Sequence, residues 1–151
     1  MAMPANGSLA KVIILIAPGF EERGVVYFLA GLREAGLPVS LVSLSAGLVT
    51  GLHGLPVRPD YTMEQLIPDL PGRMVIIPDG QQCVSALLAD PRVHRLLDST
   101  VRYEGHVATT ILAGQLLAQA GIPANGAAAR FVSQGDQGIA DFTNQLINLL
   151  L

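Results

Sequence analysis

Short, unbroken apolar runs alternate along this chain with longer stretches in which apolar residues recur every three or four positions. The runs read as buried parallel strands and the spaced stretches as helices with one buried face. Lys11 to Ala17 is the first run, rich in β-branched residues and ended by Pro18-Gly19-Phe20. Glu21 and Glu22 then open a helix predicted to reach about Ala35, with Val25, Val26, Phe28, Leu29 and Leu32 inward and Gly36 as its stop. Val39 to Leu44 is the second strand. Leu48 to Leu52 and Leu55 to Val57, joined at His53-Gly54, read as a small hairpin at the sheet edge. Thr62 caps a short helix through Leu66.

Met74 to Ile77 is a further buried strand, ended by Pro78-Asp79-Gly80. Helical spacing follows from about Gln82 to Ala89 and restarts at Asp90-Pro91, with Val93, Leu96 and Leu97 on its apolar face. The stretch from Gly105 to Gly121 carries a strand, Val107 to Leu112. A turn at Ala113-Gly114 leads into a helix with Leu116, Leu117 and Ala120 inward. Ile122 to Ala129 reads as a linker, Phe131 to Ser133 as a last strand and Gln134 to Gly138 as a turn. Ile139 to Leu150 is a closing helix with Phe142, Leu146, Ile147 and Leu150 inward. This order predicts an α/β three-layer sandwich around a mainly parallel sheet. Residues 1–10 read as a flexible leader and residues 11–151 as one domain.

Composition narrows the function. Only 14% of residues are charged while half are hydrophobic, which points to surface covered by assembly. The net charge of −3 and the lack of a basic cluster argue against a nucleic-acid partner. No apolar run is long enough to span a bilayer and no secretory signal pattern opens the chain, so a cytoplasmic location and no membrane partner are expected. A single cysteine, Cys83, fits a reducing compartment. The histidines are dispersed, without metal-ligand spacing, so neither metal nor cofactor is expected.

Six segments in order resemble the ThiJ/PfpI family: KVIILIAPGFEE (11–22), AGLPVSLVSL (35–44), GLHGLPVRPDYTMEQL (51–66), MVIIPDG (74–80), ATTILAG (108–114) and FVSQGDQGIADF (131–142). The resemblance implies a flavodoxin-like fold, related to class I glutamine amidotransferases, in a family that includes peptidases, glyoxalases and deglycases. It also implies a cysteine nucleophile at the strand–helix elbow, an acid that tunes it, a histidine after the elbow helix, and a glycine-rich turn donating to an oxyanion. Matched onto this chain, the cysteine position is Leu112 and the acid position is Gly24. The histidine segment is missing, because only Pro123 to Ala129 separate the helix from the last strand, so the fold is shortened there. The glycine turn keeps Gly80, but Asp79 replaces the first glycine and would oppose a developing negative charge.

Each remaining candidate has a functional and a structural reading. Cys83 is a relocated nucleophile or redox sensor, or else a small apolar filler. Glu21 and Glu22 are an acid/base pair, or caps and dipole partners of the helix they open; Glu21 is also a candidate contact to a ligand or a partner chain. Asp79 and Asp136 bind an amine or cation, or serve turns. His53 suits a turn or dimer contact, His94 a solvated helix face, and His106 the end of the sheet away from the site. Gly135 and Gly138 do not form a nucleotide loop. The expected site therefore comprises Glu21, Asp79, Gly80, Cys83, Leu112 and Ala113, with Leu112 plugging the old cleft and with no complete catalytic set. The expected function is a non-catalytic, homodimeric or larger binding or scaffold protein. The alternatives are a small hydrolase, glyoxalase-like enzyme or redox sensor using Cys83 with Glu21 or Asp79, and a ligand-sensing regulatory domain.

Overall fold

A computed structural model describes residues 12–66, 73–123 and 128–151. The strands are β1 (Val12–Ile16), β2 (Val39–Ser43), β3 (Val49–Thr50), β4 (Pro56–Val57), β5 (Tyr61–Thr62), β6 (Met74–Ile77), β7 (His106–Thr109) and β8 (Phe131–Ser133). The helices are α1 (Glu22–Glu34), α2 (Gln81–Leu88), α3 (Pro91–Arg102), α4 (Ile111–Gln119) and α5 (Ile139–Leu150). The predicted leader and part of the predicted linker lie outside the described residues.

Six strands form one parallel sheet in the order β5-β2-β1-β6-β7-β8. Strands β1 and β6 are buried along their whole length, as continuous apolar runs covered on both faces must be. On one face α1 packs with α5, where Phe28 and Phe142 meet edge to face at 6.0 Å between ring centroids. Such an aromatic pair adds about 0.5–1.5 kcal/mol beyond the area it buries. On the other face α2 packs with α3 and α4. The expected mainly parallel α/β sandwich is the observed fold.

Four details differ from the sequence reading. The hairpin β3–β4 is not part of the main sheet; it is a separate two-stranded ribbon, and the sheet edge is β5. Val26 and Ala120, expected inward, are exposed: Val26 lies beside the buried face of α1 formed by Val25, Phe28 and Leu32, and Ala120 is the C-cap beyond the end of α4. His94 is not on a solvated face: it is half-buried, and its Nε2 lies 2.7 Å from the Leu88 carbonyl at the end of α2. The run Val107 to Leu112 does not continue as a strand. Strand β7 stops at Thr109, Thr110 is the cap, and α4 begins at Ile111, so Ala113 and Gly114 lie inside the helix.

Candidate functional site

The strand order reverses between β1 and β6, so the loops leaving their carboxyl ends flank the crevice where open parallel sheets bind ligands. The Glu21 amide donates to the Asp79 carbonyl at 2.9 Å and joins the two loops. The approach is close enough to demand glycine at position 80. There φ is +116°, and a Cβ would stand 2.3 Å from the Gly19 carbonyl oxygen.

Asp79 accounts for the early start of α4. Its Oδ1 accepts the Thr110 hydroxyl and, at 2.9 Å, the Ala113 amide. Thr110 itself makes no side-chain cap, so a carboxylate from the β6 loop satisfies part of the helix start. A negative charge there is favoured by the helix dipole. The position that can stabilise a thiolate or a bound anion is thus held by a side chain of the chain itself. Between the amine-binding and turn readings of Asp79, its observed contacts are those of a helix cap.

The candidate residues around it divide. Ala113 is buried and its amide is committed to Asp79. Ile111, not Leu112, is the first helical residue; it is exposed, whereas Leu112 is half-buried in the second position. Ile111 lines an open groove of about 420 Å³ that also includes Gln115, Phe131, Ser133 and Asp136. Leu112 is absent from that lining. Asp136 is exposed beside this groove, while Asp79 is turned to α4.

Cys83 sits in the first turn of α2, yet it is fully buried in the core. Burial pushes its thiol up to about 12, so the reactive thiolate is not populated near neutrality. Gly24 lies in the first turn of α1, where its amide donates to Glu21 Oε1 at 3.1 Å. Glu21 is the N-cap of α1 and accepts the Arg23 and Gly24 amides. Its pKa is lowered: burial alone would raise it, and the Gly24 amide and the Arg23 side chain and amide outweigh that.

Sequence reasoning named Glu22 only as an acid/base or dipole partner of its helix and missed its contact to the ribbon. This residue is buried, and its Oε2 accepts the His53 amide at 2.7 Å and the Leu55 amide at 3.2 Å. Its Oε1 lies 2.8 Å from His53 Nδ1. Burial opposes its ionisation, but these contacts hold the carboxyl down at about 2. Gly51 permits the approach, since a Cβ there would stand 2.5 Å from the carboxylate. Glu22 is therefore the clamp that fastens the β3–β4 ribbon to α1. The available signal was the glycine-flanked His53, placed to return toward the first helix, together with a second acid behind the cap.

The chain matches the DJ-1/PfpI family over residues 10–139. It belongs to the DJ-1/PfpI family. It is 31% identical over 113 residues to Deglycase PfpI of Pyrococcus furiosus, covering 74% of this chain and 66% of that protein. A deglycase of Thermococcus kodakarensis is 39% identical over 59 residues, which span 39% of this chain and 36% of the relative. Toxoplasma gondii DJ-1 in its oxidized form superposes with a TM-score of 0.81 at 18% identity, covering 93% of this chain and 90% of that one. Drosophila melanogaster DJ-1beta gives 0.77 at 20% identity, covering 94% and 90%. These structures share the family fold. No helix among the described residues is long and apolar enough to cross a membrane.

Proposed function

We propose that this DJ-1/PfpI protein is non-catalytic and works as a homo-oligomeric binding or scaffold protein. The observation that carries the reading is the Asp79 carboxylate on the N-terminus of α4, taking the Thr110 hydroxyl and the Ala113 amide. With that carboxylate in place, the elbow lacks a nucleophile and its Ala113 amide is already taken. The chain's single cysteine lies buried in the core with its thiol protonated. The matched positions Leu112 and Gly24 carry no ionisable group.

The binding half of the reading rests on apolar surface. Leu48, Leu52 and Leu55 of the ribbon are exposed, and Val26 and Tyr27 of α1 are 49% and 43% exposed. Glu22 ties the two elements together, and Val26 follows it by one helical turn on the same face. An open groove of about 860 Å³ continues from Glu22 and Val26 between α1 and α5 to Ile147. A second copy of the chain is the occupant proposed. Sedimentation of the wild type and of a Leu52→Asp, Leu55→Asp double variant tests this: an assembly that the double variant dissociates is the expected result. A wild type that stays monomeric at high concentration removes the oligomeric part of the reading.

The names of the Pyrococcus and Thermococcus relatives favour the rival reading, a deglycase or glyoxalase-like enzyme. Incubation with methylglyoxal and with glycated amino acids separates the two. No turnover above that of the Cys83→Ala variant is expected, and turnover abolished by Cys83→Ala would restore the enzyme.

A further inference from the structure

The ribbon clamp has a second chemistry that neither the family fold nor the scaffold reading requires. We propose that Glu21, Glu22 and His53 bind one divalent first-row transition ion, with Zn2+ the best match. Among the described residues this is the one group of three metal-ligating side chains whose donor atoms converge, all lying within 4.8 Å of one another.

The spacing is that of a coordination sphere. His53 Nδ1 lies 2.8 Å from Glu22 Oε1 and 3.9 Å from Glu21 Oε2. Around an ion with ligand distances near 2.1 Å, donors at right angles are about 3.0 Å apart and tetrahedral donors about 3.4 Å apart. The observed separations bracket those values, so an ion enters by small rotations of the side chains, without movement of the backbone. The backbone is also fixed in advance. Glu22 Oε2 is held by the His53 and Leu55 amides, which leaves Oε1 directed at the imidazole.

Charge and access agree with the spacing. Glu22 is a buried carboxylate, and among the described residues the one basic side chain within ion-pair distance of it is His53. Glu21 has Arg23 at 3.2 Å, which is the contact an incoming ion must share or displace. The His53 side chain is 60% exposed, so an ion reaches the donors from solvent and keeps water in its remaining positions. Two carboxylate oxygens and one imidazole nitrogen suit Zn2+, Co2+ and Mn2+, and lack the thiolate or thioether that Cu+ prefers. The ligands come from the cap and first turn of α1 and from the ribbon, so a bound ion would crosslink the two.

The test uses the full chain stripped by chelator and titrated with Co2+ followed by its visible absorption, and with Zn2+ by calorimetry. One equivalent is expected to bind the wild type. His53→Ala and Glu21→Gln are each expected to weaken binding at least about tenfold, because each removes a ligand. Glu22 is left intact because its loss would free the ribbon and confuse the result. Thermal melts without metal check that both variants fold. Cu2+ resonance spectra should show a single imidazole nitrogen that His53→Ala abolishes. No saturable one-equivalent binding by the folded wild type, or binding that His53→Ala leaves unchanged, overturns the proposal.

Discussion

The starts of α1 and α4 each lie beside a carboxylate from outside the helix proper, and the two are used differently. At α4 the carboxylate arrives from a distant loop: Asp79, on the far side of α2 and α3 in the sequence, satisfies the Ala113 amide and the Thr110 hydroxyl. At α1 the neighbouring residue Glu21 does the capping, which leaves Glu22 in the first turn to reach across to the ribbon. The first arrangement places a carboxylate of the chain itself where a thiolate or bound anion would sit and takes the Ala113 amide. The second organises donors around an exposed imidazole. The lesson is that a helix dipole alone does not make an anion site; what decides is whether the chain has already supplied the anion.

The comparison is broken most severely at the turn shared by both regions. Gly80→Ala puts a Cβ against the Gly19 carbonyl at a backbone angle that suits glycine, and should cost about 3–5 kcal/mol in urea unfolding. A loss below about 1 kcal/mol would mean that the two loops separate freely.

Glu22→Gln comes next, and its effect should be local. Amide exchange in the ribbon, at Gly51, His53 and Leu55, should accelerate strongly while β1 and β6 stay protected. The same variant sharpens the pH behaviour. Because the folded carboxyl is held at about 2 against an ordinary 4.5, its contribution is fully present above the ordinary value. It is lost as pH falls toward the folded value. The stability difference between wild type and Glu22→Gln should therefore be flat at neutral pH and shrink through that acid window. A difference that grows on acidification would contradict the clamp.

At the other helix start, Asp79→Asn keeps the size but removes the charge, and should cost about 1 kcal/mol, as for loss of a helix cap. The smallest effect expected is at Cys83. Iodoacetamide should label the folded protein hardly at all at neutral pH, because the thiol is buried and held near 12. Rapid labelling would return the cysteine to the list of reactive groups.

The sheet was legible in the sequence because VIILI and MVII are short, rich in β-branched residues and soon followed by proline, which separates them from buried helix segments. The start of α4 was not legible. Thr109, Thr110 and Ile111 are β-branched and read as strand, while the acceptor that starts the helix lies 31 residues before Thr110. The Glu22–His53 pair is likewise 31 residues apart in sequence, joined only once β2 and the ribbon return the chain to α1. The capping role of Glu21 needed no tertiary information, since a cap and its amides lie within one turn. Local chemistry was readable, and contacts closed by the fold were not.

The Asp79 cap also sets the order in which this protein could be converted into a thiol enzyme. A cysteine introduced at Ile111 or Leu112 would share its helix start with a carboxylate already holding the Ala113 amide. Two anions competing for the same donors raise the pKa of the new thiol rather than lower it. The productive route removes the acid first, by Asp79→Gly, and adds the cysteine second. Taken in the opposite order, the first step yields a sluggish thiol with nothing for selection to improve.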